Sequence, residues 1–271
     1  RIICIYPLWS LFIYSISDPL EAAKGLTLLP RSVTLTNFAM ILRESKIFHA
    51  LGVSFARTIL GTAITVVCTS FMAYLFVQPK LPFRRFFNRL VIITMYFSSG
   101  LIPWYLTMYY YGFKNSFLLY VIPSAVNAYF MILIKAYLES LPASLQEAAE
   151  IDGAGIFTVF TKIILPLCKP ILATITLFSA VNQWNTWSDN FYLVKDANLK
   201  TLQLTLYEYF QSNAPSIENM RDLASIMSQR TVTTTSIRMC IAVITIVPIF
   251  IVYPFVQKYF QKGIMIGAVK G

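Results

Sequence analysis

The sequence predicts an all-α integral membrane protein, and three observations support this. Only 13% of the 271 residues are charged while 57% are hydrophobic, with a mean hydropathy of +0.64; a water-soluble domain carries about a quarter charged residues. Six apolar runs approach the ~20 residues that a membrane-spanning helix requires. Aromatic residues make up 15% of the chain and many sit near the ends of those runs, as they do in interfacial belts. A greasy soluble protein would not show such runs, and a membrane barrel would need alternating strands of ~10 residues, which the sequence lacks.

The spans follow in order as residues 2–17, 51–77, 88–111, 117–138, 168–188 and 234–257. Helix is the economical choice for each, because only a helix satisfies its backbone polar groups within the segment. The second ends before Pro79, the third is interrupted by Gly100 and Pro103, the fourth contains Pro123, and the sixth contains Pro248 and Pro254. The chain opens at Arg1 without a Met and enters apolar sequence at once, so a short N-terminal segment is expected to be missing, and the opening is not read as a signal peptide. One membrane domain over residues 1–271 is expected, with no internal repeat.

The net charge is +10. The basic residues lie at the ends of apolar runs rather than in one patch, which suits anionic lipid headgroups and not nucleic acid. Counting basic residues on the two sides gives a tie. Density breaks it, since Lys80, Arg84, Arg85 and Arg89 crowd one short connection and the positive-inside rule weighs short loops. Residues 78–89, 139–167 and the C-terminus are therefore expected in the cytoplasm. The outer segment 199–211 has an apolar face that should lie on the bundle or at the membrane interface, and 212–233 reads as loop plus a short helix. Cys4, Cys68, Cys168 and Cys240 lack metal-ligand spacing and are read as small packing residues.

Catalysis needs convergent titratable groups. His49 is the single histidine, and no HExxH pattern or Gly-rich phosphate loop appears. Arg57, Arg238 and Lys135 lie near span ends, where they are expected to snorkel. A secondary carrier would need a charged midplane site, which the spans lack, so energy is expected to come from elsewhere.

The polar island between the fourth and fifth spans is where another protein is expected to take hold. Ser144-Leu-Gln-Glu147 has the spacing of a capping box. Ala148 and Ala149 are compact helix formers, and Gly153 and Gly155 permit a turn. A second short amphipathic helix follows through Ile156, Phe157, Phe160, Ile163 and Ile164 to Leu165-Pro166. Such a pair either merely joins two spans or presents a helix to a groove on a soluble partner.

The spacing Glu147-Ala148-Ala149, three residues, Gly153, nine residues, Ile163, one residue, Leu165-Pro166 resembles the EAA loop of bacterial ABC importer permeases. SGLIPWYL at 99–106, WNTW at 184–187 and the C-terminal YPFVQKYFQKGIMIGAVKG resemble the carbohydrate-importing branch, similar to the maltose-type second permease and the LplC/YtcP-like subgroup. Val53-Ser54 departs from the Asn-Ser of many relatives. The resemblance implies a type I ABC importer transmembrane fold of about six helices in the bacterial cell membrane, with residues 139–167 as the cytoplasmic EAA loop. It implies a non-catalytic subunit with no cofactor of its own. Its partners would be a second permease, two ATPase subunits that bind ATP and Mg²⁺, and a lipid-anchored or periplasmic solute-binding protein. Glu147, Ala148, Ala149, Asp152 and Gly153 would couple to the ATPase, and Gly267 and Lys270 in the tail would reach toward it.

The solute would be an oligosaccharide, with a peptide or polyamine as the alternative. Sugar sites use aromatic faces and amides, which makes Tyr96, Trp104, Asn127, Tyr129, Asn182, Gln183, Trp184 and Asn185 the candidates for the path. Asn182 and Asn185, spaced i, i+3, share a helix face and are the preferred pair.

Overall fold

A computed structural model describes residues 2–18, 29–30, 32–211 and 234–268. Residues 212–233 and Lys270 therefore lie outside the described residues. Among the described residues the regular structure is helical, with one isolated antiparallel bridge between Ser17 and Val33. The helices are α1 (Ile2–Ile16), α2 (Thr36–Arg43), α3 (Ser45–Val77), α4 (Arg84–Tyr96), α5 (Leu101–Tyr110), α6 (Ala128–Glu139), α7 (Ser144–Ile151), α8 (Ile156–Leu167), α9 (Lys169–Asn185), α10 (Ser188–Leu193), α11 (Leu202–Gln211) and α12 (Thr234–Ala268). The chain divides into two compact units, one of residues 1–54 and 194–252 and the other of residues 55–193 and 253–271.

The first unit is tied by polar contacts between segments far apart in sequence. The buried Asn37 donates through Nδ2 to the carbonyls of Ser15 and Ser17, at 3.3 and 3.1 Å. Ser54 Oγ accepts from the Leu202 amide at 2.8 Å. His49 Nε2 pairs with the Asn198 carbonyl at 2.8 Å. Arg238 Nε donates to the Tyr209 carbonyl at 2.7 Å. On α11, Leu202 and Leu204 are buried, which accounts for its apolar face.

The second unit is built on α3. Its core combines Ala73, Tyr74 and Phe76 of α3 with Phe130, Met131, Ile134 and Leu138 of α6, Ala149 of α7, Val159, Phe160 and Ile164 of α8, Cys168, and Ile175 of α9. The polar island is therefore packed into the same core as the spans. In a bilayer the lipid tails are as apolar as these side chains, so close packing rather than removal from water holds the membrane-embedded part of this core together.

Each of the six apolar runs contains helix, but only α3 and the Thr235–Tyr253 part of α12 are unbroken helices of membrane-crossing length among the described residues. The third run is bent by 119° between α4 and α5, and the fifth joins α8 through an 84° bend. Gly100 stands at the first bend with φ +82°, a conformation that glycine adopts without steric penalty.

The fourth run differs from the expectation of one span over 117–138. It comprises a 3-10 turn at Phe117–Tyr120, an irregular stretch over 121–127, and then α6. Pro123 supplies no amide donor and pushes its predecessor out of helical geometry. Side chains take up the backbone groups that this releases. Thr65 Oγ1 donates to the Ser124 carbonyl at 2.8 Å, and Thr69 Oγ1 donates to the Ala125 carbonyl at 3.3 Å. Gln183 Nε2 reaches the Tyr120 carbonyl at 3.2 Å. Irregular backbone is tolerated within a membrane protein where protein groups satisfy it in this way.

Candidate functional site: a docking loop and an amide-bearing helix face

The first helix of the polar island, α7, begins one residue earlier than its capping-box spelling implies. Ala143 already has helical angles (φ −60°, ψ −31°), and Ser144 makes no capping bond. A capping residue needs extended backbone, so the Ser144–Glu147 box does not form. The far end of α7 closes cleanly. Asp152 is the C-cap, Gly153 takes φ +78°, and the amides of Gly153 and Ala154 return to the carbonyls of Glu150 and Ala149 at 3.1 and 2.9 Å. This pair of bonds is the Schellman arrangement, which favours glycine at that position. A Cβ on Gly153 would meet no other atom of this chain, so the left-handed turn is what calls for glycine there.

The five sequence-predicted coupling residues are thus brought together on one helix and its cap. Glu147, Ala148, Asp152 and Gly153 are exposed, and Ala149 is turned into the core. Gly267 lies on the backbone of α12. The helix pair also exposes Leu145, Ile151, Ile156 and Phe157, with Ile151 86% exposed. Several large apolar side chains are thus exposed around an acidic first turn, the composition that marks interaction surfaces. Beneath it the pair is rigidly seated, with the Phe160 ring 5.1 Å from Phe71 and 5.5 Å from Tyr74 of α3. The helix widens to a π turn over Phe160–Ile164, which directs both of these residues into the core.

A second attachment was not legible from the loop's own sequence. Gln146 and Gln78 exchange amide hydrogen bonds at 2.6 and 3.3 Å. Glu150 accepts from Gln146 at 2.9 Å and pairs with Lys80 at 2.8 Å. These groups border a groove of about 470 Å³ that also includes Glu147 and Arg84. The hydrogen bond from Lys80, with help from Gln146, holds the Glu150 carboxyl below its usual range. The contribution of the pair is therefore complete at neutral pH and fades as pH falls through that lowered value. Lys80 is 83% exposed, and water screens such pairs. Lys80→Ala is expected to move the thermal midpoint of the solubilised protein by no more than about 2 °C at pH 7; a much larger drop would mean that this pair holds the loop in place.

The path candidates fall into two groups. Asn182 and Asn185 are exposed on one face of α9, and Phe178, one turn before Asn182, is exposed on the same stripe. Phe178 was missed in the sequence because an isolated Phe within an apolar run carries no signal. Gln183 and Trp184 are turned inward instead. Trp184 packs edge-on against Phe55 at 5.2 Å. Asn127 caps α6 by accepting from the Phe130 amide at 3.0 Å, and its own amide donates to Thr69 Oγ1 at 3.2 Å. Tyr96, Trp104 and Tyr129 lie on α4, α5 and α6, with Tyr96 and Tyr129 exposed and Trp104 half-buried.

Arg57 overturns an expectation. It does not snorkel but is 3% exposed. Its Nη1 and Nη2 grip the Asp189 carboxylate at 3.1 and 2.6 Å, its Nε donates to Gln183 Oε1 at 3.1 Å, and its Nη1 also reaches the Thr186 carbonyl at 3.0 Å. The guanidinium carbon stands 4.6 Å from the Tyr120 ring centroid. The partner carboxylate lies 132 residues downstream, where reading the second span by itself does not look.

Apolar helical spans joined to an exposed amphipathic helix pair define an α-helical membrane protein. The family described as binding-protein-dependent transport system inner membrane component matches residues 65–266. The polygalacturonan/rhamnogalacturonan transport system permease protein YtcP of Bacillus subtilis is 33% identical over 271 residues, covering 100% of this chain and 94% of the relative. The protein LplC of the same organism is 33% identical over 250 residues, 92% of this chain and 83% of the relative. Among solved structures, a chain of a bacterial ABC transporter involved in import of the acidic polysaccharide alginate superposes with a TM-score of 0.88 at 30% identity, covering 95% of this chain and 91% of that one. The chain belongs to the binding-protein-dependent transport system inner membrane component family, and its fold is the type I ABC importer transmembrane fold.

Proposed function

We propose that this chain is one of two permease subunits of an ATP-driven oligosaccharide importer, and that α7 and α8 form its coupling element. The observation that carries this reading is the loop's construction: an acidic, apolar-studded outer face on a helix pair fixed to α3 through Phe160 and to Gln78, just past the end of α3, through the exchange with Gln146. A soluble ATPase that binds this face moves α3 and α9 with it, because α8 packs on α3 and leads into α9 through the bend. ATP and Mg²⁺ bind on the ATPase chains. Closure of the ATPase pair selects one orientation of the spans, and hydrolysis releases it. A solute-binding protein delivers the sugar from outside.

The Phe178–Asn182–Asn185 stripe is the sugar-facing element of this reading, since it joins an aromatic face to two amides. The similar proteins whose names mention sugars support a carbohydrate, and polygalacturonan and alginate place acidic oligosaccharides in the test panel. In the reconstituted importer, Asn182→Ala/Asn185→Ala is expected to lower uptake of the transported sugar about tenfold, as loss of one or two net hydrogen bonds would, while assembly with the ATPase is unchanged. Unaltered uptake kinetics would remove the stripe from the path, and uptake of a peptide or polyamine in place of any sugar would overturn the substrate class.

A further inference from the structure

Arg57 makes an arrangement that bundle stability alone does not call for. A buried ion pair gains little over apolar residues of the same shape, yet this guanidinium spends four hydrogen bonds on one place, the outer end of α9. Gln183 is on α9, Thr186 is its C-cap, and Asp189 opens α10. The cation also stands at the helix terminus where the free carbonyls and the dipole favour positive charge. Gln183 is held from its other side as well, its Nε2 donating to Ser124 Oγ at 2.7 Å and to the Tyr120 carbonyl at 3.2 Å. Tyr120 is fixed in turn by Asn190 Nδ2, 2.6 Å from its hydroxyl. Gly61 completes the seat, because a Cβ there would fall 2.5 Å from Gln183 Nε2.

The consequence is rotational. Adjacent helix residues are about 100° apart, so pinning Gln183 to Arg57 fixes where Asn182 and Asn185 point. By helical rise, Arg57 lies about 30 Å from the coupling end of α3, the thickness of a bilayer core. It therefore holds the outer end of α9, remote from the docking loop.

We propose that Arg57 is a positioning residue of the substrate path, setting the rotation of α9 through its fork on Gln183, Thr186 and Asp189 so that the Phe178–Asn182–Asn185 face is presented to the solute. The part of this that concerns sugar rests on the proposed function; the part that concerns rotation does not. Arg57→Lys keeps the charge and loses the fork. Arg57→Gln/Asp189→Asn removes both charges together, which avoids stranding a buried carboxylate.

Two readouts separate the claims. In a background with its native cysteines replaced, single Asn182→Cys, Trp184→Cys and Asn185→Cys variants of the assembled importer are labelled with a water-soluble maleimide. With Arg57 present, positions 182 and 185 react and position 184 is protected; with either Arg57 variant, the ratio of reactivities at 185 and 184 is expected to fall about tenfold. An unchanged ratio in both variants overturns the proposal whatever transport does. The second readout is sugar moved per ATP hydrolysed in proteoliposomes, with trigalacturonate and raffinose as probes. It is expected to fall in both Arg57 variants, and Asn182→Ala is expected to add little on top of Arg57→Lys, because both act through one face. A changed labelling ratio with independent, additive losses in transport would leave α9 rotation to Arg57 and overturn its link to the solute. A native importer that moves neither sugar, with the labelling ratio changed, would overturn the sugar reading and leave the positioning role standing.

Discussion

Replacing Glu147 with Lys is expected to abolish sugar uptake while the protein still inserts and accumulates in the membrane. Glu147 is exposed in the first turn of α7, beside the groove shared with Gln78, Lys80 and Arg84. Reversal acts twice. A cation in the first turn opposes the helix dipole by about 0.3–1 kcal/mol. At a docking surface, breaking a charge pair with the partner costs about 2–5 kcal/mol, which weakens binding at least ~30-fold. The core contact of Ala149 and the Schellman closure at Gly153 are untouched, so folding is spared. The measurement is ATP-dependent uptake together with co-purification of the ATPase. Normal uptake by Glu147→Lys would sink the coupling role of the loop.

The second large effect is expected at Gly61, where Gly61→Leu should prevent accumulation of folded protein. A side chain there would displace a Gln183 amide that is held by Arg57, Ser124 and Tyr120. Overpacking combined with the loss of those buried hydrogen bonds amounts to about 3 kcal/mol or more. Gly52→Leu on the same helix is the control, because a Cβ at Gly52 meets nothing within 4 Å. The yield and thermal midpoint of monodisperse protein in detergent compare the two. Equal behaviour of the two variants would show that α9 does not pack closely on Gly61.

The positions of the helices were legible because they are set by apolar length, and length survives without knowledge of any partner. The polar island at 144–166 was legible for the same reason, since charge between two apolar runs marks an exit from the membrane. What the sequence hid were features decided by distant residues. Arg57 reads as a snorkelling cation until Asp189 folds onto it, and Gln183 reads as a path residue until Arg57, Ser124 and Tyr120 claim its amide. The Ser144 box misleads locally, because Ala143 has already turned helical and leaves no extended residue to act as a cap. Within the candidate site, the shared face of Asn182 and Asn185 was legible from their spacing, whereas Phe178 needed the stripe to be seen.

The irregular stretch at 121–127 bears on how the chain is made. An ordinary span can enter the bilayer as a finished unit, since its amides and carbonyls are paired among themselves. This one cannot, because Ser124 and Ala125 rely on Thr65 and Thr69 of a segment synthesised earlier, and Tyr120 relies on Gln183 of one synthesised later. During translation, the segment therefore has two of its hydrogen-bonding neighbours already in place and must wait for the third. Its full set of hydrogen bonds is therefore complete only once α9 is present, although the stretch lies near the middle of the chain.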